Sequence, residues 1–186
     1  MKYLYPLTFT KGWDNLPCRI YRMEKSDLPM IMTYQERLYQ GLADKDILVT
    51  LSEEEWSYMM DHGFVLGVFA EEDPSQPAYL LGCVYPKDED NLGHDIGLSE
   101  EELKHVAHLE IAMADPKFRG YHMHSRMCAL CTQMLMEDGR TQFVMATVSP
   151  KNIPSKKAVE FAGLEVVLTK EKYGGHMRHI LLKKKS

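Results

Sequence analysis

From Val106 to Ala114 every position is apolar except His108 and Glu110, and the run stops at Asp115-Pro116. So dense an apolar stretch, ended by a proline that cannot donate to a ladder, predicts a central strand. Beyond it Met123, Met127, Leu130 and Met134 recur at spacings of four, three and four, with Leu135 beside them and Gly139 just past the end. That spacing predicts an amphipathic helix with one face packed inward and a glycine stop. Phe143 to Val148 is a second continuous apolar run, closed by Pro150. The three segments therefore predict a strand-helix-strand unit with parallel strands and a right-handed crossover. The turn leading into its helix carries backbone N–H groups without intrahelical partners, and the helix dipole there favours an anion such as a phosphate.

The flanking segments read as follows. Met1 to Asn15 is aromatic and apolar without clean periodicity, compatible with an extra strand or with an arm over the core. Cys18 to Met23 alternates as a short strand. Ser26-Asp27-Leu28-Pro29 opens a helix whose inner face is Leu28, Ile31, Met32, Leu38 and Tyr39, ending at Gly41. Ser52-Glu53-Glu54-Glu55 is a capping box for a second helix, carrying Trp56, Met59 and Met60 and ending near Gly63. Phe64 to Ala70 and Ala78 to Tyr85 form an antiparallel pair across a polar connection. Pro86 to Lys104 is acidic, with a second capping box at Ser99-Glu100-Glu101-Glu102, and reads as a solvated loop with one short helix or as a specificity-bearing insertion. Asn152 caps a further helix that has Pro154 in its first turn and Gly163 past its end. Strands from Leu164 to Thr169 and His176 to Leu182, joined through Tyr173-Gly174-Gly175, close the chain. Without an internal repeat or low-complexity linker, residues 1–186 are expected to form a single domain.

Two segments carry a family resemblance. Asp115-Pro116 followed by Phe118-Arg119-Gly120-Tyr121 at the start of a helix resembles the acyl-CoA pyrophosphate loop of the GNAT superfamily of N-acyltransferases. Asn152-Ile153-Pro154-Ser155 followed by Ala158, Phe161 and Gly163-Leu164 resembles the helix after that family's fifth strand. They sit in the family's order and spacing and cover roughly the second half of the chain. Two departures stand out. The family's loop, Arg/Gln-x-x-Gly-x-Gly/Ala, has histidines here at both small positions, His122 and His124, and a tyrosine usual on the later helix is replaced by Val159.

The resemblance implies an α/β (α+β) fold: a central mixed, mostly antiparallel sheet of about six to seven strands flanked by helices, with parallel, splayed fourth and fifth strands. It also implies transfer of the acetyl group of acetyl-CoA, as cosubstrate, to a primary amine. Unpaired backbone around Ala112, Met113 and Ala114 would pair with the pantetheine arm, much as an added strand does. The amides of Arg119, Gly120, Tyr121, His122, Met123 and His124 would hold the pyrophosphate, with Arg119 adding charge. Asn152 and Ser155 would contact the CoA arm, cap their helix, or do both. Were either loop imidazole to lie over the pyrophosphate, affinity would rise as pH falls through about 6.5.

Amine attack needs a neutral nucleophile, so a base must take the ammonium proton directly or through water. Glu110 is the candidate: a carboxylate in an apolar strand must find a partner, face a cavity or raise its pKa. Its alternative role is an ion pair with His105 or His108. Val159 has no proton for the departing thiolate, which leaves Tyr121, Tyr173 or water to supply one, or the thiolate to depart unaided and be protonated later. The alternative function is a non-catalytic acyl-CoA-binding or sensing module.

Composition narrows the field further. A net charge of -5 argues against nucleic acid as the main partner, since binding a phosphate backbone needs a basic face. The acidic Asp88-Glu89-Asp90 suits a cationic, amine-bearing acceptor, and a homodimer is left open. No apolar run approaches the ~20 residues needed to cross a bilayer, and no cationic start precedes an apolar core; neither membrane association nor export is expected, and the chain reads as cytoplasmic. Cys128 and Cys131 form a CxxC inside a helix, where packing suits them better than redox chemistry. His122 with His124, and His176 with His179, lack an obvious third ligand, so no metal is expected.

Overall fold

The apolar run at the middle of the sequence becomes strand β5 (Val106–Ala114) in the computed structural model, which describes residues 1–185. The other strands are β1 (Lys2–Lys11), β2 (Asp14–Arg22), β3 (Gly63–Ala70), β4 (Tyr79–Val84), β6 (Phe143–Val148), β7 (Glu165–Lys172) and β8 (His176–Lys184). The helices are α1 (Leu28–Gln40), α2 (Glu53–Asp61), α3 (Glu100–Leu103), α4 (Met123–Glu137) and α5 (Ile153–Phe161). The strands form an 8-stranded mixed sheet in the order β1-β2-β3-β4-β5-β6-β8-β7. The expected six to seven strands become eight because the N-terminal segment is a strand rather than an arm. As the edge strand, β1 buries only Phe9 completely, and apolar and polar residues alternate only over its second half, Leu7 to Thr10. The expected parallel fourth and fifth strands are consequently β5 and β6.

Two compact units divide the chain, Met1–Gly82 with Ile111–His124, and Cys83–Glu110 with the chain from Ser125 on. In the first, β1 and β2 pair antiparallel down to Lys11↔Asp14, and β2 pairs antiparallel with β3 from Cys18↔Ala70 to Arg22↔Leu66. Helix α1 has its proline in the first turn, where the missing N–H costs nothing, and buries Leu28, Ile31, Tyr34, Gln35 and Leu38. Helix α2 starts with the expected capping box, Ser52 and Glu55 each accepting the other's backbone N–H. The buried Gln35 accepts from the Trp56 indole at 3.1 Å and from Leu51 N at 3.0 Å, and donates to Leu51 O at 2.8 Å. A buried amide satisfied on both ends fixes the two helices without an orphan polar group.

In the second unit β5 and β6 are parallel, and among the described residues their ladder runs only from Val106↔Phe143 to His108↔Met145. Strand β6 continues to Val148, paired antiparallel with β8 throughout. Past His108 the two parallel strands therefore part. Cys128 and Cys131 lie buried within α4 and are not joined in a disulfide.

The acidic segment before β5 is more than a solvated loop. Leu92 packs with Val106, Phe143, Met145 and Ile180, and Ile96 and Leu98 cover that cluster. Asn91, also buried, donates from Nδ2 to Leu103 O at 3.0 Å and accepts from Gly93 N at 2.9 Å. Most of the segment's charged residues face solvent, while Leu92 and Leu103 are buried. Leu92→Ala should accordingly lower unfolding stability by about 2–5 kcal/mol, the usual range for a leucine truncated in a packed core, measured by denaturant titration.

Candidate active site

In the first unit, β5 ends at Ala112, Met113 and Ala114, of which Met113 is buried, Ala112 half-buried and Ala114 exposed. The chain then locks at Asp115, whose N–H donates to Ala78 O at 3.0 Å. The Asp115 carboxylate is buried; it accepts from Lys117 N at 2.8 Å, capping a short 3-10 turn (Pro116–Phe118), and from Arg37 Nη2 at 2.7 Å. A charged cap with both oxygens engaged holds the start of the following loop in one place.

That loop contains two left-handed residues, Gly120 at φ 90° and His122 at φ 56°. The loop stands directly before the N-terminus of the 15-residue α4, where backbone N–H groups have no intrahelical partner and the helix dipole favours an anion. The family's usual glycine stands where His122 does, and histidine is among the side chains that tolerate the left-handed region. Arg119, Gly120 and His122 are exposed, Tyr121 is half-buried, and Met123 is buried. The His124 ring turns inward, its Nδ1 2.7 Å from the hydroxyl of the fully buried Tyr79. Burial pushes its pKa down to about 4. His124 therefore stays neutral through the range near 6.5, against the expectation that its protonation would strengthen anion binding there.

In the second unit, His108 is buried and Glu110, two residues on along the same face of β5, has a side chain 31 % exposed. Leu92 N donates to His108 Nε2 at 3.3 Å, so Nδ1 carries the proton of the neutral ring and donates to Glu110 Oε2 at 3.2 Å. Of the two histidines considered as partners, the structure selects His108, since His105 Nδ1 contacts Arg140 O at 2.8 Å. The Tyr173 hydroxyl lies 3.2 Å from Thr147 Oγ1 on the part of β6 beyond the parallel ladder. Desolvation at that hydroxyl, reinforced by the carboxylates of Glu110 and Asp95, raises the phenol's pKa above its ordinary value and keeps it protonated. Asp95 is itself bound by Lys170 at 2.7 Å and Lys172 at 2.6 Å. Burial opposes its ionisation, but the two ammonium groups hold its carboxyl below the usual range.

Asn152 and Ser155 stand at the N-terminus of α5, with Asn152 Oδ1 accepting from Ser155 N at 3.2 Å, so the capping role is present. Val159 is buried on the same helix. Thus the first unit gathers residues 112–114 with 119–124, and the second holds Glu110, Asn152 and Ser155. Sequence reasoning missed Tyr79 as the partner of His124 and Thr147 as the partner of Tyr173. Neither has a local signal, because each contact joins residues far apart in the chain. Among the described residues no group of three or more His, Cys, Asp or Glu side chains is placed to hold a metal ion.

No family model matches the sequence, and no curated protein matches it. Solved structures do match in shape. The ribosomal-protein-S5-alanine acetyltransferase of Vibrio fischeri superposes with a TM-score of 0.67 at 15% identity, covering 96% of this chain and 97% of that one. A GNAT-family acetyltransferase of Listeria monocytogenes gives a TM-score of 0.66 at 15% identity, over 96% and 99%. The aminoglycoside acetyltransferase AAC(6')-Ib, solved with coenzyme A and kanamycin, gives 0.61 at 15% identity, over 90% and 95%. At such identities the likeness is one of fold, and the chain has the GNAT acetyltransferase fold.

The depressed pKa of His124 has a consequence for stability. A histidine whose folded value lies below its unfolded value of about 6.5 contributes stability above that pH and loses it as pH falls toward about 4. His124→Gln, which can still bond Tyr79, should flatten the stability-versus-pH curve between those limits. Melting temperatures measured across the window check this, and an unchanged acid slope would show that the ring already protonates freely in the folded state.

Proposed function

We propose that this chain is an N-acetyltransferase that passes the acetyl group of acetyl-CoA to a primary amine, with Glu110 as general base. The observation that carries the reading is the His108–Glu110 pair: a carboxylate fixed by a neutral imidazole on a strand that loses its parallel partner at that point. The GNAT fold supports it, as do fold neighbours solved with coenzyme A, one of them also holding kanamycin. Acetyl-CoA would supply an acetyl group activated as a thioester.

The loop residues fit such a group. Backbone amides from Arg119 to His124, with left-handed turns at Gly120 and His122, suit a pyrophosphate, and Arg119 is exposed beside them. The main chain of Ala112, Met113 and Ala114 offers strand-like pairing to an extended pantetheine arm. Asn152 and Ser155 are assigned to the same cosubstrate, Asn152 retaining its capping bond.

Glu110 Oε2 is occupied by the His108 N–H, which leaves Oε1 to accept the ammonium proton directly or through a water. His108 acts as a positioning residue, because its donated hydrogen bond fixes the plane of the carboxylate. Tyr173, protonated and electrostatically coupled to Glu110, is the phenol best suited to give a proton to the departing thiolate, a task Val159 cannot perform. A cationic acceptor suits both Glu110 and the exposed Asp88, Glu89 and Asp90. Val159 also favours a second reading, a CoA-binding module without turnover. Screening acetyl-CoA consumption against amines of different charge separates the two.

Saturating the protein with acetyl-CoA at about a hundred times its dissociation constant should add roughly 2.7 kcal/mol of stability, because the loop and strand end exist only in the native state. A melting temperature indifferent to millimolar acetyl-CoA would overturn the cosubstrate assignment.

Glu110→Gln should lower turnover by about 10² to 10⁴-fold while leaving acetyl-CoA affinity within a few-fold, since glutamine keeps an acceptor for His108 but takes no proton. Steady-state rates with an acceptor from the amine screen, alongside a titration of acetyl-CoA binding, test this. Full activity would remove Glu110 as base, and a collapse in melting temperature would assign the carboxylate to structure instead.

A further inference from the structure

The tip of the β1–β2 hairpin, Lys11-Gly12-Trp13-Asp14, takes no part in the chemistry above. The pair Lys11↔Asp14 leaves Gly12 and Trp13 as a two-residue turn, with Gly12 at φ 60° in the first position, as glycine-led hairpin turns require. Trp13 is 102 % exposed. A lone exposed apolar residue is ordinary on a protein surface, and here the flanking residues distinguish it. Both are fastened to the loop assigned to the pyrophosphate. The Lys11 side chain lies across Gly120, where an added Cβ would meet its Cδ and Cε at 3.0 Å and its Nζ at 3.4 Å. Its Nζ is 6.0 Å from the centre of the Tyr121 ring, and the Tyr121 hydroxyl donates to Asp14. The indole is thus carried in solvent on a turn anchored from both sides to residues 120 and 121.

Charge points the same way. The molecule carries a net charge of -5, so its overall field opposes an anionic ligand and local cations must hold one. Lys117, nearby in sequence, is occupied by Glu72 and Asp73, each at 3.4 Å. Among the described residues Lys11 forms no ion pair, which leaves its ammonium for a ligand at Gly120 and Tyr121.

We propose that Lys11 and Trp13 form a subsite for the nucleotide end of CoA, the indole stacking on the adenine and the ammonium meeting a phosphate. The subsite rests on the acetyl-CoA reading and extends it to an element outside the loop. Stacking on an aromatic platform needs an exposed ring face held near the phosphate track, the combination that the anchored turn supplies.

Calorimetric titration of wild type, Trp13→Ala and Lys11→Gln with CoA, and with 4′-phosphopantetheine as a probe lacking the adenosine, tests the proposal. Trp13→Ala should weaken CoA binding by about tenfold and leave 4′-phosphopantetheine unaffected. Lys11→Gln should weaken CoA binding by roughly fivefold at low salt, with the loss shrinking as salt rises. Both variants should melt as wild type does, since Trp13 is solvated and glutamine retains most of the lysine stem. If wild type binds CoA and both variants match it to within about twofold, the subsite is wrong and the CoA reading stands. An equal loss for 4′-phosphopantetheine in Trp13→Ala would also overturn the subsite, because the hairpin would then be acting on the loop's shape. Failure of the wild type to bind CoA would overturn both.

Discussion

A single buried imidazole constrains the chemistry of the second unit. His108 is 3 % exposed, so both of its ring nitrogens need partners. Once Leu92 N donates to Nε2, the neutral ring must carry its proton on Nδ1, and that proton needs an acceptor on the same face of the strand. Side chains on a strand repeat every two residues, and two residues on stands Glu110. One hydrogen-bond chain thus links the acidic segment, the central strand and the candidate base. It gives the segment a role beyond specificity: Leu92 places the N–H that sets the tautomer, and the tautomer sets the carboxylate.

Strand β5 changes character at the same residue. Its face bearing Val106 and His108 is buried, then opens through Glu110 and Ala112 to Ala114, while Ala107, Leu109, Ile111 and Met113 stay buried on the other face. The parallel ladder with β6 ends at His108. A strand that keeps one apolar face but loses a lateral partner retains its own backbone donors and acceptors, and these must go to water or to an extended ligand. The small side chains of Ala112 and Ala114 leave room beside that backbone. Glu110 is correspondingly open to solvent, as the base proposed above would need to be.

Legibility in the sequence followed the strength of local signals. Strands β5 and β6 emerged at the expected residues because continuous apolar runs bounded by Asp-Pro and Ser-Pro have few alternative readings. Helices α2, α3 and α5 began at the expected caps because Ser52, Ser99 and Asn152 bond their own first turns. Strand β1 stayed undecided between strand and arm, since an edge strand with a single fully buried side chain alternates only over the short stretch from Leu7 to Thr10. Leu92 was lost for a related reason: one apolar residue in a polar stretch has no period, and only its distant partners reveal it as core. The His108–Glu110 spacing was legible as a pairing, but its direction depended on Leu92 N, which no pattern could supply.

The histidines at the two small positions of the loop follow from the same division between backbone and side chain. An anion held by amides requires a particular run of φ angles and an unobstructed mouth, and it constrains the side chains only through those two conditions. His122 adopts φ 56° and is exposed, at a local conformational cost that glycine would not incur. His124 places its ring against Tyr79, where desolvation keeps it neutral. Each substitution therefore needs its own compensation, and the second is supplied from β4, well away in sequence. A loop motif read as a string of small residues would reject this chain, whereas the pyrophosphate role proposed above asks for backbone conformations that a histidine can also adopt.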